Sequence, residues 1–467
     1  MRAIAGMNVT VMGLGINGGG LASALFFARH GARVTVTDLR PASILKDSID
    51  SLSGHDVRYV LERHEEKDFS GADLVIKNPA VSPGSPFLQA ARSGGVPVET
   101  DLSVFLSFAA NPLIAVTGSK GKSTTASAIA FALGRVFPGA RLGGNITVSP
   151  LTFLDELSPT DPVVLELSSW QLGDLKGRGI LRPTVSAFTV ILPDHLDKYA
   201  GMDDYVADKK AIFQEQEPRQ KAVFNLDDPW QKGFPAETKA QPFFYSTTRL
   251  PDGVDGAWLD EGSGMARSGH GPARRILKES LLPGLHNRQN LLCAGLALHL
   301  FGIKPEVISA GLARFPGVEH RLERFRTWKG IAFYNDSAAT IPQATVEALK
   351  SLPAPIVLLT GGTDKNIDFS PLGETARVPR AVVLLAGTGS EKMRTIYEAQ
   401  GVDYRGPYAT LAEALAEAIA CAARLAADAE VSLLFSPGCT SFGMFLNEFD
   451  RGRKFKEMVA EVTRTDA

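Results

Sequence analysis

The sequence predicts an α/β protein of three domains, and three observations lead to this class. Strand-like runs rich in β-branched residues alternate with helical segments along most of the 467 residues. Two glycine-rich turns, GLGING and TGSKGKST, each follow a strand-like run and open a helical one. The last third carries four short apolar runs typical of buried strands. We place the domains at residues 1–101, 102–317 and 318–467.

The first domain is predicted to be Rossmann-like. NVTVMGLG indicates a strand entering a turn, GGGLASALFFARHG an amphipathic helix, and ARVTVTD the next strand. Gly13, Gly15 and Gly18 match GxGxxG, and Asp38 ends the following strand, where a carboxylate can meet a ribose. This first glycine-rich turn leaves three interpretations open: an NAD(P) site, a site for another nucleotide diphosphate such as a UDP-sugar, or a tight turn without a ligand.

The central domain opens at PLIAVTGSKGKSTTASAIAFALG, which predicts a strand, a phosphate-binding turn and a helix. In TGSKGKST (residues 117–124, the phosphate loop), backbone N–H groups would wrap ATP phosphates, Lys122 would neutralise them and Ser123 would reach Mg²⁺. Val116 replaces the first glycine of GxxxxGK[ST], so the loop is a variant. We expect turns or short antiparallel strands at residues 251–273. A triphosphate loop favours ATP chemistry over hydride transfer.

The third domain is predicted to be Rossmann-like as well. Its strands are expected at IAFYND, PIVLLTGG, AVVLLAG and VSLLFSPG. TLAEALAEAIACAARLAA lacks Gly and Pro and is rich in Ala, which predicts a helix between the last two of these strands.

Composition argues against several classes of protein. A formal net charge of −2 gives no electrostatic reason to expect nucleic acid or an anionic membrane as a partner. Cys293, Cys421 and Cys439 lie far apart, so we expect neither disulfides nor a zinc site. The apolar stretches are shorter than the roughly 20 residues of a membrane helix, and no secretion signal is evident. We therefore expect a cytoplasmic protein, and a monomer, because three linked domains need no partner.

A series of short blocks resembles the Mur ligases. In family order they are TGSKGKST, GGN, ELSSWQ, PDHLDKY, DKKAIF, LPGLHNRQN, HR, NDSAAT and SPGCTSF. A first domain with GLGING and Asp38 is similar to that of the members that add glutamate to UDP-N-acetylmuramoyl-L-alanine in peptidoglycan precursor synthesis. The resemblance implies an ATP- and Mg²⁺-dependent ligase, in which the substrate carboxylate becomes an acyl phosphate and the glutamate amine then displaces phosphate. D-Glutamate is expected, with L-glutamate as the alternative.

The resemblance also implies how two Mg²⁺ ions are held. Ser123 and Glu166 would bind the first, and His195 the second, which bridges the γ-phosphate and the attacking carboxylate. Lys209 is implied to carry a carbamate, which turns a cation into an oxygen donor. Lys210 points roughly 100° away on the same helix. The implied catalytic residues are Lys122, His195 and Lys209, and the implied metal ligands are Ser123, Glu166, His195 and Lys209.

Three sets of contacts follow from the same resemblance. ATP is implied to contact Gly118, Ser119, Gly121, Lys122, Ser123, Thr124, Asn287, Asn290, Arg321 and Asp336. The UDP-linked substrate is implied to contact Ile16, Asn17, Asp38, Arg40, Asn145, Ser168, Gln171 and His195. Glutamate is implied to contact Thr340, Lys365, Ser441 and Phe442. Because Asp336 ends a strand of the third domain, its contact with ATP implies that this domain closes over the second.

Four positions depart from the family pattern. Lys120 replaces the usual Asn of the phosphate loop, and TVILPDH lacks the Asn that commonly precedes this block. Ala338 stands where some relatives have a lysine, and Glu448 and Phe449 stand where relatives have N-F-E. Two other classes stay open: an NAD(P)-dependent dehydrogenase, which gives no role to the phosphate loop, and a nucleotide sensor without catalysis.

Overall fold

The computed structural model describes residues 4–15, 18–79, 81–146, 148–194, 199–269, 271–364, 367–427, 429–441 and 443–464. The chain forms two compact units, Met1–Ser280 with Gln289–Phe315, and Leu281–Arg288 with Pro316–Ala467. Three sheets confirm the predicted α/β class, two in the first unit and one in the second. The division into three domains stays a prediction. Within the described residues, no helix has both the length and the apolar character needed to span a membrane.

The N-terminal part of the first unit is a five-stranded parallel sheet with the strand order 3-2-1-4-5. Its elements are β1 (Asn8–Met12), α1 (Gly19–Arg29), β2 (Arg33–Asp38), α2 (Lys46–Ser51), β3 (Val57–Leu61), α3 (Lys67–Ser70), β4 (Leu74–Lys77), α4 (Pro86–Ser93), β5 (Val98–Glu99) and α5 (Asp101–Phe108). The strand order reverses between β1 and β4, and ligands of such sheets bind outside the carboxyl ends of the strands at this point. The first glycine-rich turn follows β1 and therefore lies there.

The rest of the first unit is built on a nine-stranded sheet of order 14-13-12-11-10-9-6-8-7. Its elements, with a helix that runs on from the second unit, are β6 (Leu113–Thr117), α6 (Lys122–Leu133), β7 (Arg141–Gly144), β8 (Val163–Glu166), α7 (Ser169–Leu175), β9 (Val185–Phe188), α8 (Met202–Lys209), α9 (Ala211–Gln214), β10 (Lys221–Asn225), β11 (Gln241–Ser246), β12 (Gly256–Asp260), β13 (Ser263–Arg267), β14 (Arg274–Leu277), α10 (Leu285–Phe301) and α11 (Pro305–Ala313). Strands β12 to β14 pair antiparallel, which confirms the expectation for residues 251–273. Every residue of β6 is buried between neighbouring strands β8 and β9, so the phosphate loop leaves a rigid strand.

The second unit holds a six-stranded sheet of order 15-16-20-17-18-19. Its elements are β15 (Glu323–Trp328), β16 (Ile331–Asn335), α12 (Pro342–Ser351), β17 (Ile356–Gly361), β18 (Ala381–Leu385), α13 (Thr388–Ala399), β19 (Tyr404–Tyr408), α14 (Leu411–Leu425), β20 (Val431–Phe435) and α15 (Glu448–Val462). Strands β16, β17 and β20 are buried throughout, as their apolar runs predict. Because β16 and β20 are parallel neighbours, the loops that follow them emerge at the same edge of the sheet.

Candidate active site

The phosphate loop joins β6 to α6 through two glycines that no other residue can replace without a clash. Gly118 and Gly121 have φ angles of 147° and 87°. A Cβ at Gly118 would lie 1.9 Å from Thr189 Oγ1, and one at Gly121 would lie 2.2 Å from Asn290 Oδ1. Helix α6 begins directly after Gly121, which has no side chain to cap it. The first N–H groups of the helix are therefore suited to an anion.

Two lysines converge on this loop. Lys122 Nζ donates hydrogen bonds to the carbonyl oxygens of Gly118 at 3.0 Å and of Ser119 at 2.9 Å. Lys209 Nζ, at the end of α8, donates to the same Gly118 oxygen at 2.7 Å. Lys209 is 1% exposed, and its burial, followed by the neighbouring charge of Lys122, lowers its pKa to about 6. At neutral pH this side chain is mainly a free amine.

The next lysine, Lys210, has a different environment. Its Nζ forms a salt bridge with Glu237 Oε1 at 2.7 Å, and its ammonium lies over the ring of Phe234. Of the two adjacent lysines, Lys209 is thus the one that reaches the phosphate loop. Its proposed carbamate stays a prediction.

A buried carboxylate lies at the end of β8, beside the strand that leads into the phosphate loop. Glu166 is 1% exposed, and its Oε1 accepts a hydrogen bond from Asn145 Nδ2 at 3.0 Å. Its Oε2 has no hydrogen-bond partner among the described residues. A buried carboxylate oxygen with free lone pairs fits a hard cation such as Mg²⁺. Ser123, the second residue of α6, is half-buried.

A cavity of about 400 Å³ brings several of the predicted residues together. Its wall contains Lys122, Asn145, Ser168, Gln171 and Lys209, all singled out from the sequence. It also contains residues that the sequence analysis missed, which are Gly19, Asn78, Pro79, Asp101, Gly144, Ser149, Ser169, Trp170 and Tyr205. The cavity is therefore lined from both sheets of the first unit.

Two of these lining residues also hold a helix start in place. Ser168 and Gln171 form a capping box at α7, in which Ser168 Oγ accepts from Gln171 N at 3.3 Å and Gln171 Oε1 accepts from Ser168 N at 3.0 Å. This box fixes the direction in which both side chains meet the cavity. Their contact with a substrate stays a prediction.

Asp38 at the end of β2 accepts a hydrogen bond from the backbone of the first glycine-rich turn. It is 4% exposed, and its Oδ2 accepts from Gly15 N at 3.0 Å while its Oδ1 accepts from Arg40 N at 2.9 Å. The Arg40 guanidinium, 3.7 Å from the Asp38 carboxylate, is about half exposed. Ile16 and Asn17 lie outside the described residues.

In the second unit, Asp336 lies buried at the end of β16. Its Oδ1 accepts from Leu322 N at 3.0 Å, its Oδ2 accepts from Ser436 Oγ at 2.7 Å, and burial raises its pKa to about 7. The loop after β16, which carries Thr340, contacts the loop after β20, which carries Ser441, through hydrogen bonds that include Gly438 N to Ala339 O at 3.0 Å. Like Ile16 and Asn17, the predicted residues His195, Lys365 and Phe442 lie outside the described part of the chain.

The remaining predicted ATP residues are divided between the units. Asn290 belongs to the first unit, where its side chain abuts Gly121. Asn287, whose Nδ2 donates to Pro283 O at 2.7 Å, belongs to the second unit together with the exposed Arg321. Their contacts with ATP stay predictions.

Arg451 is an unexpected buried residue. It is 1% exposed, and its Nε and Nη2 donate to Ser337 Oγ at 3.0 Å and Ser337 O at 2.8 Å, while its Nη1 donates to Cys439 O at 3.1 Å. It therefore joins the loops after β16 and β20. Its helical spacing from the buried Phe455 and Val459 is the sequence signal that would have revealed it.

Comparison with known proteins gives matches along the chain. Residues 7–100 match the family model described as Mur ligase MurD-like, N-terminal domain, and residues 116–298 match the Mur ligase middle domain. The chain is similar to the UDP-N-acetylmuramoylalanine–D-glutamate ligase of Roseiflexus sp. (strain RS-1), with 38% identity over 98% of this chain and 100% of that protein. The protein of the same name from Treponema pallidum (strain Nichols) is 36% identical over 97% of each chain.

Solved structures share the fold at low sequence identity. UDP-N-acetylmuramate-alanine ligase MurC from Thermotoga maritima has a TM-score of 0.61 at 18% identity, covering 98% of this chain and 100% of that one. MurF from Acinetobacter baumannii has a TM-score of 0.56 at 18% identity, covering 86% of this chain and 93% of that one. At these identities the likeness concerns the fold alone, and it agrees with the α/β class.

Proposed function

This chain belongs to the Mur ligase family, and from that premise we propose that it joins D-glutamate to UDP-N-acetylmuramoyl-L-alanine with cleavage of ATP to ADP and phosphate. Relatives named for this reaction are 36% and 38% identical over nearly the whole chain. The observation that carries the proposal is the cavity in which Lys122, Lys209 and Asn145 lie together. Such a site suits a reaction between anionic groups, because the Lys122 ammonium and the Asn145 amide offset their repulsion.

Two steps account for the product. The alanyl carboxylate attacks the γ-phosphorus of ATP, which forms an acyl phosphate and releases ADP. The glutamate amine then attacks the acyl carbon, loses a proton and expels phosphate. In this proposal Lys122 and the first N–H groups of α6 hold the phosphates in line, and Asn145 orients the carboxylate.

The proposed metal site uses oxygen donors of this chain. Glu166 Oε2, which lacks a partner among the described residues, and the Ser123 hydroxyl would hold Mg²⁺, and His195 and a carbamylated Lys209 would hold a second ion. Bound Mg²⁺ would neutralise charge on the transferred phosphoryl group.

The environment of Lys209 supports carbamate formation. A free amine is required, because its nitrogen lone pair forms the bond to carbon dioxide and one proton is then released. The lowered pKa of about 6 supplies that amine at neutral pH. The neighbouring Lys122 charge stabilises the resulting anion, which offers oxygen ligands in place of an ammonium group.

The first experiment is phosphate release from ATP with UDP-N-acetylmuramoyl-L-alanine and Mg²⁺, comparing D-glutamate, L-glutamate and no amino acid. We expect release that depends on D-glutamate. Release with L-glutamate alone would change the amino-acid assignment and keep the mechanism. Nucleotide binding without release under any condition would contradict the ligase function.

The adjacent residues Lys209 and Lys210 provide a test variant and a matched control for the proposed carbamate. We expect Lys209→Ala to lower kcat by roughly 100-fold or more, because an interaction with the transferred phosphoryl group is lost. Lys210→Ala should stay near the wild-type rate, since its ammonium pairs with Glu237. Partial recovery of Lys209→Ala by acetate, with no effect of acetate on Lys210→Ala, is the expected signature. Absence of recovery would count against the carbamate.

A further inference from the structure

The nine-stranded sheet ends at a strand whose outer edge is unpaired. Strand β14 is the last strand of this sheet, and among the described strands it pairs only with β13. The free N–H and C=O groups of such an edge are a template for another extended chain. The phosphate loop follows β6, six strands along the same sheet, which is about 29 Å away at the usual strand spacing. The edge therefore has no part in the mechanism proposed above.

A second cavity, of about 580 Å³, lies between β14 and α11 within the first unit, and we call it the trough. On the helix side its wall is formed by one face of α11, which carries Glu306, Ser309, Ala310 and Ala313. Three of these four side chains are small, so they leave space beside the strand edge. Its volume is in the range of roughly 300–1,000 Å³ that is typical of ligand sites.

The strand side of the trough is positively charged. Arg274 and Arg275 line it, both are exposed, and neither forms an ion pair within the described part of the chain. Successive side chains of a strand point to opposite faces of a sheet, so these two guanidinium groups flank the edge on both sides. Arg314, one turn after Ala310, is a third exposed arginine without an ion pair to a described residue. The formal net charge of the whole chain is −2, so this positive charge is a local feature.

We propose that the outer edge of β14 binds an extended acidic segment of a partner protein, which adds a strand to the sheet and places its carboxylates against Arg274 and Arg275. Backbone hydrogen bonds to the strand edge would supply affinity, and the arginines would select acidic side chains. This interaction surface goes beyond the proposed ligase function and does not depend on it.

Charge argues against two other occupants of the trough. In a second copy of this chain, paired symmetrically through β14, arginines would face arginines, and like charges opposite each other destabilise a strand pair. A uniformly charged polyanion such as nucleic acid would meet the Glu306 carboxylate as well as the arginines. Lys278 and Glu279, which also line the trough, pair with each other at 3.4 Å. A peptide suits this wall, because it can present carboxylates to the arginines and a neutral residue to Glu306.

The test is fluorescence anisotropy of labelled synthetic peptides with the full-length protein. We expect binding of the acidic peptide TVEEVT, and binding at least about tenfold weaker for TVKKVT, which reverses its charge. A TVEEVT peptide with methylated backbone nitrogens keeps both carboxylates but cannot donate backbone hydrogen bonds, so it should bind as weakly as TVKKVT. The double variant Arg274→Glu, Arg275→Glu should weaken binding of TVEEVT about tenfold, because two exposed ion pairs become two repulsions.

The matched control is the double variant Arg249→Glu, Arg380→Glu. It makes the same change of charge at two exposed arginines outside the trough that also lack ion pairs to described residues. Its affinity for TVEEVT should equal that of wild type. Should circular dichroism show that the double variant of Arg274 and Arg275 does not fold, Arg314→Glu replaces it, with an expected loss of about threefold.

Several outcomes would overturn this surface. They are no binding of TVEEVT to wild type, equal weakening in the test and control variants, and undiminished binding of the methylated peptide. Binding of a nucleic-acid oligonucleotide or of phosphatidylglycerol vesicles in place of the peptide would overturn it as well. Phosphate release with D-glutamate should stay at the wild-type rate in every variant. A failure of that release in wild type would overturn the proposed function and leave the peptide result unaffected.

Discussion

At the scale of single residues, burial decides the chemistry of Lys209. A lysine side chain in water is a cation, but at 1% exposure and next to Lys122 its neutral form is favoured, with a pKa of about 6. Lys210, one position along, keeps an ion pair with Glu237. Two adjacent lysines thus differ in environment, one buried against the phosphate loop and the other paired with Glu237.

The same shift predicts a pH dependence of stability. Between pH 6 and 10.5 the unfolded chain holds a proton on Lys209 that the folded chain lacks, so this residue lowers the free energy of unfolding as the pH falls through that window. We expect the free energy of unfolding of wild type to increase relative to that of Lys209→Met as the pH rises, by at most about 1.4 kcal/mol per pH unit. Denaturant unfolding in carbon-dioxide-free buffer measures this difference. A difference for Lys209→Met that is flat with pH would contradict the burial argument.

At the scale of elements, the segment to consider consists of β6, the phosphate loop and α6. Lys120, which replaces the Asn usual in the family, leaves this segment intact, because its side chain is 57% exposed and pairs with Asp194 at 3.5 Å. The loop depends instead on the close approach of Thr189 and Asn290 to its two glycines. The backbone path, and not the side chain at position 120, therefore determines its shape.

Gly121→Ala tests this close approach. The new Cβ would meet Asn290 Oδ1 at 2.2 Å, so we expect a loss of stability larger than the backbone effect alone and weaker ATP binding. Gly177→Ala is the matched control, because Gly177 has a φ of 73° with no atom within 4 Å of the new Cβ. It should cost about 1 kcal/mol and leave ATP binding unchanged. Equal losses in the two variants, by denaturant unfolding and nucleotide titration, would refute the argument.

At the scale of the whole molecule, the two sheets of the first unit are joined by ion pairs between strand ends of the first sheet and residues in or just after α7. Lys77 at the end of β4 pairs with Asp174 of α7 at 2.7 Å, and both side chains are largely buried at 5% and 16% exposure. Arg178 and Glu99 form a second, more exposed pair. The cavity lies between the same two sheets, so these pairs fix its walls.

Double-mutant cycles measure the coupling energy of each of these two ion pairs. Lys77→Met alone should cost about 3 kcal/mol in the free energy of unfolding, since it leaves the Asp174 carboxylate buried without its partner. Combining it with Asp174→Leu should recover most of that loss. The Arg178 and Glu99 pair should show a coupling below about 1 kcal/mol, because solvent screens it. Equal couplings would show that burial does not distinguish the pairs.

Much of the fold was predictable because local sequence carries the periodicity of each element. The strands β1, β2, β6, β16, β17 and β20 follow β-branched or apolar runs, and α14 follows an Ala-rich one. Strands β3, β5, β7, β11, β15 and β19 were not predicted. All but β11 are edge strands that are only partly buried, so their sequences lack a continuous apolar run.

The sequence by itself determined the family, the class of chemistry and the two glycine-rich turns, because motif residues act through local backbone geometry. Only the tertiary structure decided that Lys209 is buried against Gly118 and that Glu166 Oε2 has no hydrogen-bond partner among the described residues. It alone placed Asp101 and Ser149 on the cavity wall. Burial and pairing arise when segments far apart in sequence meet, and a pKa or an unpaired lone pair depends on those neighbours rather than on the residue type.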